Sequence, residues 1–174
     1  MQISHVSLYL LSWYNAFVKK KNKKKVVMVS GGFDPIHIGH VRYIREAKKL
    51  GDYLIVILNN DNWLQKKKGK EFMPEIERKE IIEAISGVDE VVISGHTKNT
   101  KDMSICKELM KIKPDIFANG GDRDEKNAQD PNSSLYKDIQ MCKNLDIEMV
   151  FNVGRGGKIR SSSELLKEYS KHIK

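Results

Sequence analysis

Two histidines, His37 and His40, stand three residues apart in the stretch GGFDPIHIGH. Paired glycines, Gly31 and Gly32, open this stretch after an apolar run, a pattern typical of a strand that turns into a helix. In the first turn of a helix, residues i and i+3 share a face, so both imidazoles can reach one ligand. An imidazole N–H can donate to a phosphate oxygen and stabilise charge that develops at phosphorus. The spacing therefore favours phosphoryl or nucleotidyl transfer.

Two other interpretations of the histidine pair stay open at this point. A capping turn can contain histidine without any chemistry. A metal site requires a third ligand, for which His96 is the obvious candidate. Since no other third ligand is obvious, we predict no metal-ligating residues.

Alternating strands and helices must position these histidines. Short, continuously apolar runs rich in Val and Ile are typical of parallel strands that are covered on both faces. Strands are predicted over 26–29, 53–58, 91–93, 115–118 and 148–153, and helices over 38–50, 74–86, 102–112, 132–144 and 161–170. Strict alternation predicts right-handed crossovers. We therefore expect a doubly wound, Rossmann-like α/β fold with a five-stranded parallel sheet and helices on both faces.

The loops at the carboxyl ends of these strands are where open α/β sheets bind ligands. They read GGFDPIHIGH, NNDNWLQKKKGK, SGHTKNT, NGGDRDEKN and GRGGKIRSSS. Several contain paired glycines or basic clusters. Glycine lets backbone N–H groups approach phosphate closely, and helix N-termini add favourable partial charge. We therefore expect a polyanion site at this edge of the sheet.

The composition suits one globular domain and excludes a disordered chain, since the 174 residues are 40% hydrophobic and 31% charged. The formal charge of +8 is concentrated in residues 1–25, which contain six lysines and no acidic residue, and the rest has 25 basic and 23 acidic residues. A nearly neutral body does not favour a nucleic-acid partner. Cys106 and Cys142 belong to no C-x-x-C pair. Reduced thiols and a cytoplasmic location are therefore expected.

Residues 1–25 are predicted to be an N-terminal extension ahead of a domain over 26–174. The apolar part of the extension is shorter than the ~20 residues that span a bilayer. Its lysines follow the apolar part, unlike the charge in a secretory signal. Two interpretations remain. The extension makes weak contact with a membrane surface through Leu8, Leu11, Trp13 and Phe17, or it is a loosely ordered segment or one that packs on a neighbouring subunit.

The histidine stretch resembles a known family. GGFDPIHIGHVRYIREAKKLGDYLIVILNND is similar to the G-x-F-D-x-x-H-x-G-H segment of the cytidylyltransferase-like nucleotidyltransferases, which include glycerol-3-phosphate cytidylyltransferase and heptose-phosphate adenylyltransferases. The similarity continues in order through PEIERKEIIEAISGVDEVVI, DIFANGGD and RSSSEL. This resemblance implies that an acceptor phosphate attacks the α-phosphorus of a nucleoside triphosphate and releases pyrophosphate, usually with Mg²⁺. It also implies a homodimer.

The same resemblance implies the roles of individual residues. His37, His40 and Lys66 match catalytic positions of the family. The matching nucleotide-binding positions are Gly31, Gly32, Phe33, Asp34, Lys68, Arg78, Gly120, Gly121, Asp122, Ser161, Ser162 and Ser163. Arg155, Lys158 and Arg160 are further nucleotide-binding candidates in the last loop, where Arg155 or Lys158 would supply the arginine of the family. Lys66 and Lys68 are expected in a loop after the second strand. The alternative interpretation of the two lysines is a solvated run of surface charge. The alternative for Arg78 is a salt bridge on a helix surface.

Two features depart from the family pattern. Arg160 stands where the family has a hydrophobic residue before its serine-threonine run, and the insertion RDEKNAQDPNSSLY is longer than in the compact glycerol-phosphate enzymes. The acceptor pocket is therefore expected to differ from theirs.

Taken together, these residues predict a nucleotidyltransferase that transfers CMP from CTP to a small phosphorylated acceptor. The first alternative is an adenylyltransferase that uses ATP on a sugar phosphate or a similar acceptor. A non-catalytic nucleotide sensor on the same fold has no need of transition-state histidines. An RNA-binding module would depend on the lysine-rich tail and would weaken steeply with salt.

Overall fold

A parallel five-stranded sheet forms the centre of the molecule. The computed structural model describes residues 24–120, 130–131, 133–154 and 161–172. The strands are β1 (Val26–Gly31), β2 (Tyr53–Leu58), β3 (Glu90–Ile93), β4 (Ile116–Gly120) and β5 (Glu148–Val153). The helices are α1 (Ile38–Lys48), α2 (Asp61–Lys68), α3 (Glu75–Glu83), α4 (Cys106–Ile112), α5 (Ser134–Asn144) and α6 (Ser162–Ser170).

The alternation of side chains along the buried strands divides the core into two layers. Val27 and Val29 of β1 face the layer that contains Ile44 of α1 and Ile82 of α3. Met28, between the two valines, faces the opposite layer with residues of α4 and α5. Successive side chains of a strand point to opposite faces, so an uninterrupted apolar strand requires helices on both sides. The predicted Rossmann-like fold is confirmed.

The strand order β3-β2-β1-β4-β5 places the switch in winding direction between β1 and β4. These two strands pair only at Val27 with Ile116 and at Met28 with Phe117. Beyond these pairs, the hydroxyl of Tyr43 from α1 donates to the carbonyl of Ala118, 2.7 Å away. This fold binds ligands in the crevice that forms at such a switch point, at the carboxyl ends of the strands. The histidine turn follows β1 and therefore opens on that crevice.

The segment after β2 differs from its prediction. Lys66 and Lys68 lie in the last turn of α2, whereas the sequence analysis placed them in a loop. Asn60 caps this helix, since its side chain accepts from the N–H of Trp63 at 3.0 Å. Only Trp63 and Leu64 are buried, so the helix lacks the repeated apolar positions that would have revealed it. No helix in the described part of the chain is long and apolar enough to cross a membrane.

Candidate active site

The two histidines cap α1 and hold each other. The side chain of His37 accepts from the N–H of Gly39 through Nδ1 at 3.1 Å, and Nδ1 of His40 accepts from the N–H of His37 at 3.4 Å. Their rings are stacked, with centroids 3.8 Å apart and an interplanar angle of 24°. The two imidazoles therefore form a capping box, in which the N-cap residue is usually Ser or Thr and the N3 residue is usually Glu or Gln. The capping turn and the pair of candidate catalytic groups are the same structure.

These hydrogen bonds select the tautomer of both rings. A neutral imidazole has one acceptor and one donor nitrogen. Because Nδ1 accepts from the backbone in each ring, the proton of the neutral form lies on Nε2. Burial lowers the pKa of His40 to about 3, with the nearby His37 and Lys68 adding to the effect. His40 is therefore a neutral N–H donor at physiological pH, a suitable group for hydrogen bonding to phosphate oxygen.

Glycines in the motif are required by the packing of the turn. A Cβ on Gly39 would lie 2.9 Å from the His37 ring, and one on Gly31 would lie 2.9 Å from the ring of Phe33. A Cβ on Gly32 would lie 2.9 Å from Leu64 of α2. Gly39 was not among the predicted site residues, although its place in H-x-G-H is a usable signal. Gly31 and Gly32 therefore allow the turn to pack closely against Phe33 and Leu64.

Phe33 packs against His40. Its side chain is buried, and its ring meets that of His40 edge to face at 5.0 Å. Its backbone has a φ of 48°, in the left-handed region that non-glycine residues rarely adopt. Such conformations persist where the surroundings enforce them. Phe33 therefore positions the histidine.

Asp34 joins the histidine turn to the segment before α3. Its carboxylate is buried and accepts from the N–H of Phe72 at 2.8 Å and of Met73 at 2.9 Å. Its carbonyl oxygen accepts from Nζ of Lys68 at 2.8 Å. Hydrogen bonds of this kind satisfy a buried carboxylate, which is costly to leave unpaired. Asp34 thus joins the histidine turn to the end of α2 and to the segment before α3.

Arg78 is fully buried beneath the same edge of the sheet. Its Nη1 donates to the carbonyls of Gly32 at 2.6 Å and Asn59 at 2.8 Å, and its Nε donates to the carbonyl of Met73 at 2.9 Å. Nη2 pairs with Asp61 at 2.5 Å. The surface salt bridge considered from the sequence is wrong, because the side chain is 0% exposed. Arg78 holds the turns after β1 and β2 together, and its predicted contact with the nucleotide stays a prediction.

Lys68 and Lys66 occupy different environments. The amine of Lys68 reaches the histidine turn, and partial burial lowers its pKa, with Arg78 acting in the same direction. Lys66 lies two residues earlier in α2, and both residues are exposed as a whole, so the contact with the histidine turn is what distinguishes Lys68. Residues i and i+2 of a helix do not face the same way. The structure therefore places Lys68 beside His40, and the catalytic role of Lys66 stays a prediction.

His96, the candidate third metal ligand, is occupied within the fold. Its Nδ1 lies 2.7 Å from the hydroxyl of Ser94 and its Nε2 lies 2.9 Å from the carbonyl of Ser104. The backbone carbonyl of His96 accepts from the side chains of Asn60 and Asn62 at the start of α2. His96 therefore anchors α2, and it was missed in this role because its partners lie in three separate segments.

The predicted residues after β4 and β5 are only partly described. A Cβ on Gly120 would lie 2.5 Å from Tyr43, which explains the glycine. Gly121, Asp122, Arg155, Lys158 and Arg160 lie outside the described residues.

The serine turn begins α6 beside the histidine turn. Ser161 caps the helix in a reciprocal pair with Glu164, and the hydroxyl of Ser162 donates to the carbonyl of Pro35 at 3.0 Å. Ser163 is exposed. The N-terminus of α6 is therefore tied to the residue that stands two positions before His37. The start of α6 therefore contacts the histidine turn.

No cluster of three or more His, Cys, Asp or Glu suited to a metal occurs among the described residues. The nearby carboxylates of Asp34 and Asp61 already bond Phe72, Met73 and Arg78. The described residues therefore do not fit a dedicated Mg²⁺ site. Mg²⁺ commonly reaches such sites with substrate phosphates and several waters as its ligands, and its use here stays a prediction.

Comparison with known proteins identifies the family. The model of the cytidylyltransferase-like family matches residues 28–167. The chain belongs to the cytidylyltransferase-like family. The family resemblance predicted from the histidine stretch is thereby confirmed.

Individual relatives of this cytidylyltransferase-like chain are named FAD synthase. That of Ferroglobus placidus is 44% identical over 99 residues, covering 57% of this chain and 60% of the relative. That of Thermococcus sibiricus is 37% identical over 130 residues, covering 74% and 80%. This chain thus spans about three fifths of the first relative's length. A solved lipopolysaccharide core biosynthesis protein from Thermoplasma volcanium shares 28% identity and a TM-score of 0.58, covering 76% of this chain and 98% of that protein.

Proposed function

We propose that the protein is an adenylyltransferase that joins the AMP part of ATP to flavin mononucleotide (FMN) and releases pyrophosphate. The observation that carries the proposal is the stacked pair of histidines at the switch point of the sheet, in which each Nδ1 accepts from the backbone and leaves Nε2 to donate. The names of the relatives favour ATP and FMN, because an FAD synthase makes a dinucleotide from these two compounds. They support the alternative donor of the sequence analysis better than CTP.

The reaction forms one bond and breaks one. An oxygen of the acceptor phosphate attacks the α-phosphorus of ATP, and the bond from that phosphorus to the oxygen bridging the α- and β-phosphates breaks as pyrophosphate leaves. Negative charge gathers on the oxygens of the α-phosphate. The Nε2–H groups of His37 and His40 donate to these oxygens, and fixed donors of this kind are a large source of rate enhancement. Mg²⁺ that entered with the triphosphate would be held by the substrate and would neutralise part of the charge on its oxygens.

Neutrality of His40 suits a donor that acts over a wide pH range. Since burial holds the pKa of His40 at about 3, its N–H is present without a net charge. Lys68 provides positive charge beside it, and its amine is held by Asp34. His40 therefore supplies a fixed neutral donor, and Lys68 supplies the positive charge.

A donor and acceptor matrix tests this proposal. The full chain is incubated with Mg²⁺ and each of ATP, CTP, GTP and UTP, against FMN, a heptose phosphate and glycerol 3-phosphate, and pyrophosphate is measured. We expect turnover with ATP and FMN and identification of FAD as the product. Turnover with ATP and a sugar phosphate would refute FMN as the acceptor, and turnover with CTP alone would refute the choice of donor.

A further inference from the structure

Phe72 is an exposed aromatic residue in a backbone segment that several hydrogen bonds restrain. Its side chain is 56% exposed. Its own N–H is bonded to the buried carboxylate of Asp34, and so is that of the next residue, Met73. The carbonyl of Met73 in turn accepts from the buried Arg78. A large apolar side chain is thus held in solvent by three hydrogen bonds to buried charged groups.

The anchoring of Phe72 also determines where it lies. Asp34 stands three residues before His37 and accepts Lys68 through its carbonyl oxygen at 2.8 Å. The backbone of Phe72 is therefore one hydrogen bond away from the turn that presents the histidines and the lysine. Two more exposed large apolar residues are close in sequence: Ile38 opens α1 next to His37, and Ile76 lies in α3 four residues after Phe72. The chain segments that flank the phosphate-directed groups therefore carry exposed apolar residues.

Exposed apolar side chains are common singly and need no explanation. A fixed one beside a candidate active site is different, because a side chain whose backbone is already ordered costs little further entropy when a ligand covers it. The chemistry of the neighbouring groups indicates which ligand. His37, His40 and Lys68 suit a phosphate, and Phe72 suits a flat ring carried by the same molecule.

We propose that Phe72 is a specificity-determining residue that contacts the flat ring of the acceptor while the acceptor's phosphate lies toward the histidines and Lys68. This inference rests on the proposed function, since FMN combines a phosphate with a planar ring system. Stacking of a planar ring on an aromatic side chain is favourable and tolerant of the ring's identity. A sugar phosphate has no such ring and gains nothing from Phe72.

The test compares substitutions of Phe72 with a matched control. Binding of FMN is followed by its fluorescence, and KM is measured for FMN and for ATP. Phe72→Ala should raise the Kd and KM for FMN by about tenfold, with the KM for ATP unchanged, because stacking on one aromatic side chain contributes roughly that much. Phe72→Tyr keeps the ring and should stay close to the wild type. Tyr169→Ala removes another exposed aromatic, 63% exposed and on α6, and should change neither constant.

The outcomes separate this inference from the proposed function. Equal affinity of wild type and Phe72→Ala for FMN would overturn the inference and leave adenylyl transfer intact. Equal losses in Phe72→Ala and Phe72→Tyr, or a parallel rise in the KM for ATP, would also overturn it, since a disturbed loop would then be the cause. If the wild type does not bind FMN at all, the proposed acceptor fails, and the inference fails with it.

Discussion

Two buried regions of this molecule use polar side chains in different ways. At the carboxyl edge of the sheet, Asp34, Asn60, Arg78 and His96 are all buried and hydrogen-bonded between segments. In the layer between α4 and α5, Asp138 is the buried charged residue among apolar neighbours, and its Oδ1 accepts from the N–H of Ile105 at 2.9 Å. The polar side chains of the first region fix loops that carry candidate catalytic groups. In the second region, Asp138 fixes the start of α4.

This difference predicts how the two regions respond to mutation. Burying a polar group costs desolvation free energy, and hydrogen bonds offset this cost only when the partners of the group are in place. At the sheet edge those partners are the turns of the site, so substitutions there should impair activity as well as stability. Beneath α4 the partner is a helix end, so substitution should affect stability alone.

Arg78→Met should have the largest effect. It removes four hydrogen bonds, to Gly32, Asn59, Met73 and Asp61, and leaves their acceptors unpaired. Breaking a buried ion pair by removing one partner costs ~3–5 kcal/mol, and the histidine turn would lose its support. We expect this loss in urea unfolding and turnover below detection. Lys79→Met, on the same helix, removes an exposed pair with Glu83 and should cost under ~0.5 kcal/mol. Similar effects of both variants would contradict the comparison.

His40→Ala should affect the chemistry more than the fold. Loss of a preorganised donor to transition-state charge lowers kcat by about 10²–10³, while nucleotide binding should change far less. The measurement is steady-state pyrophosphate release, with circular dichroism to check folding. His172→Ala removes an exposed histidine beyond α6 and should leave turnover unchanged. A folded His40→Ala protein with most of its turnover would exclude His40 from catalysis.

Much of the architecture could be predicted because apolar runs and helical periodicity are local signals. The helix α2 was missed because only Trp63 and Leu64 of it are buried. The contacts of Arg78 with backbone carbonyls could not be predicted, since its place in a motif does not tell which groups its charge faces. The role of Asp34 depends on Phe72 and Met73, nearly forty residues away. Such contacts follow from tertiary packing and leave no pattern of spacing in the sequence.

The pKa of His40 predicts a pH dependence of stability. An unperturbed histidine titrates near 6.5, and in the fold His40 titrates at about 3. Between these values the unfolded chain binds a proton that the native protein does not, so the free energy of unfolding falls as pH falls below about 6.5. From pH 7 to pH 5 this amounts to about 2 kcal/mol. His40→Asn should therefore lose about 2 kcal/mol less than the wild type over that interval in urea unfolding. Identical pH dependence of both proteins would show that the low pKa is wrong.

Asp138→Ala gives the smallest expected effect and the sharpest test of the other region. The substitution removes the acceptor for Ile105 at the start of α4, and loss of a helix cap costs ~0.5–2 kcal/mol. Asp138 lies on α5 beside Cys142, whose pKa burial raises to about 12, so the surroundings are apolar and far less suited to charge than the sheet edge. Removal of the carboxylate also ends its own desolvation cost, which keeps the net loss small. We expect a loss of about 1 kcal/mol in urea unfolding with kcat and both KM values unchanged. A fall in kcat at full folding would mean that the layer beneath α4 also positions the site, and the contrast between the two regions would then be wrong.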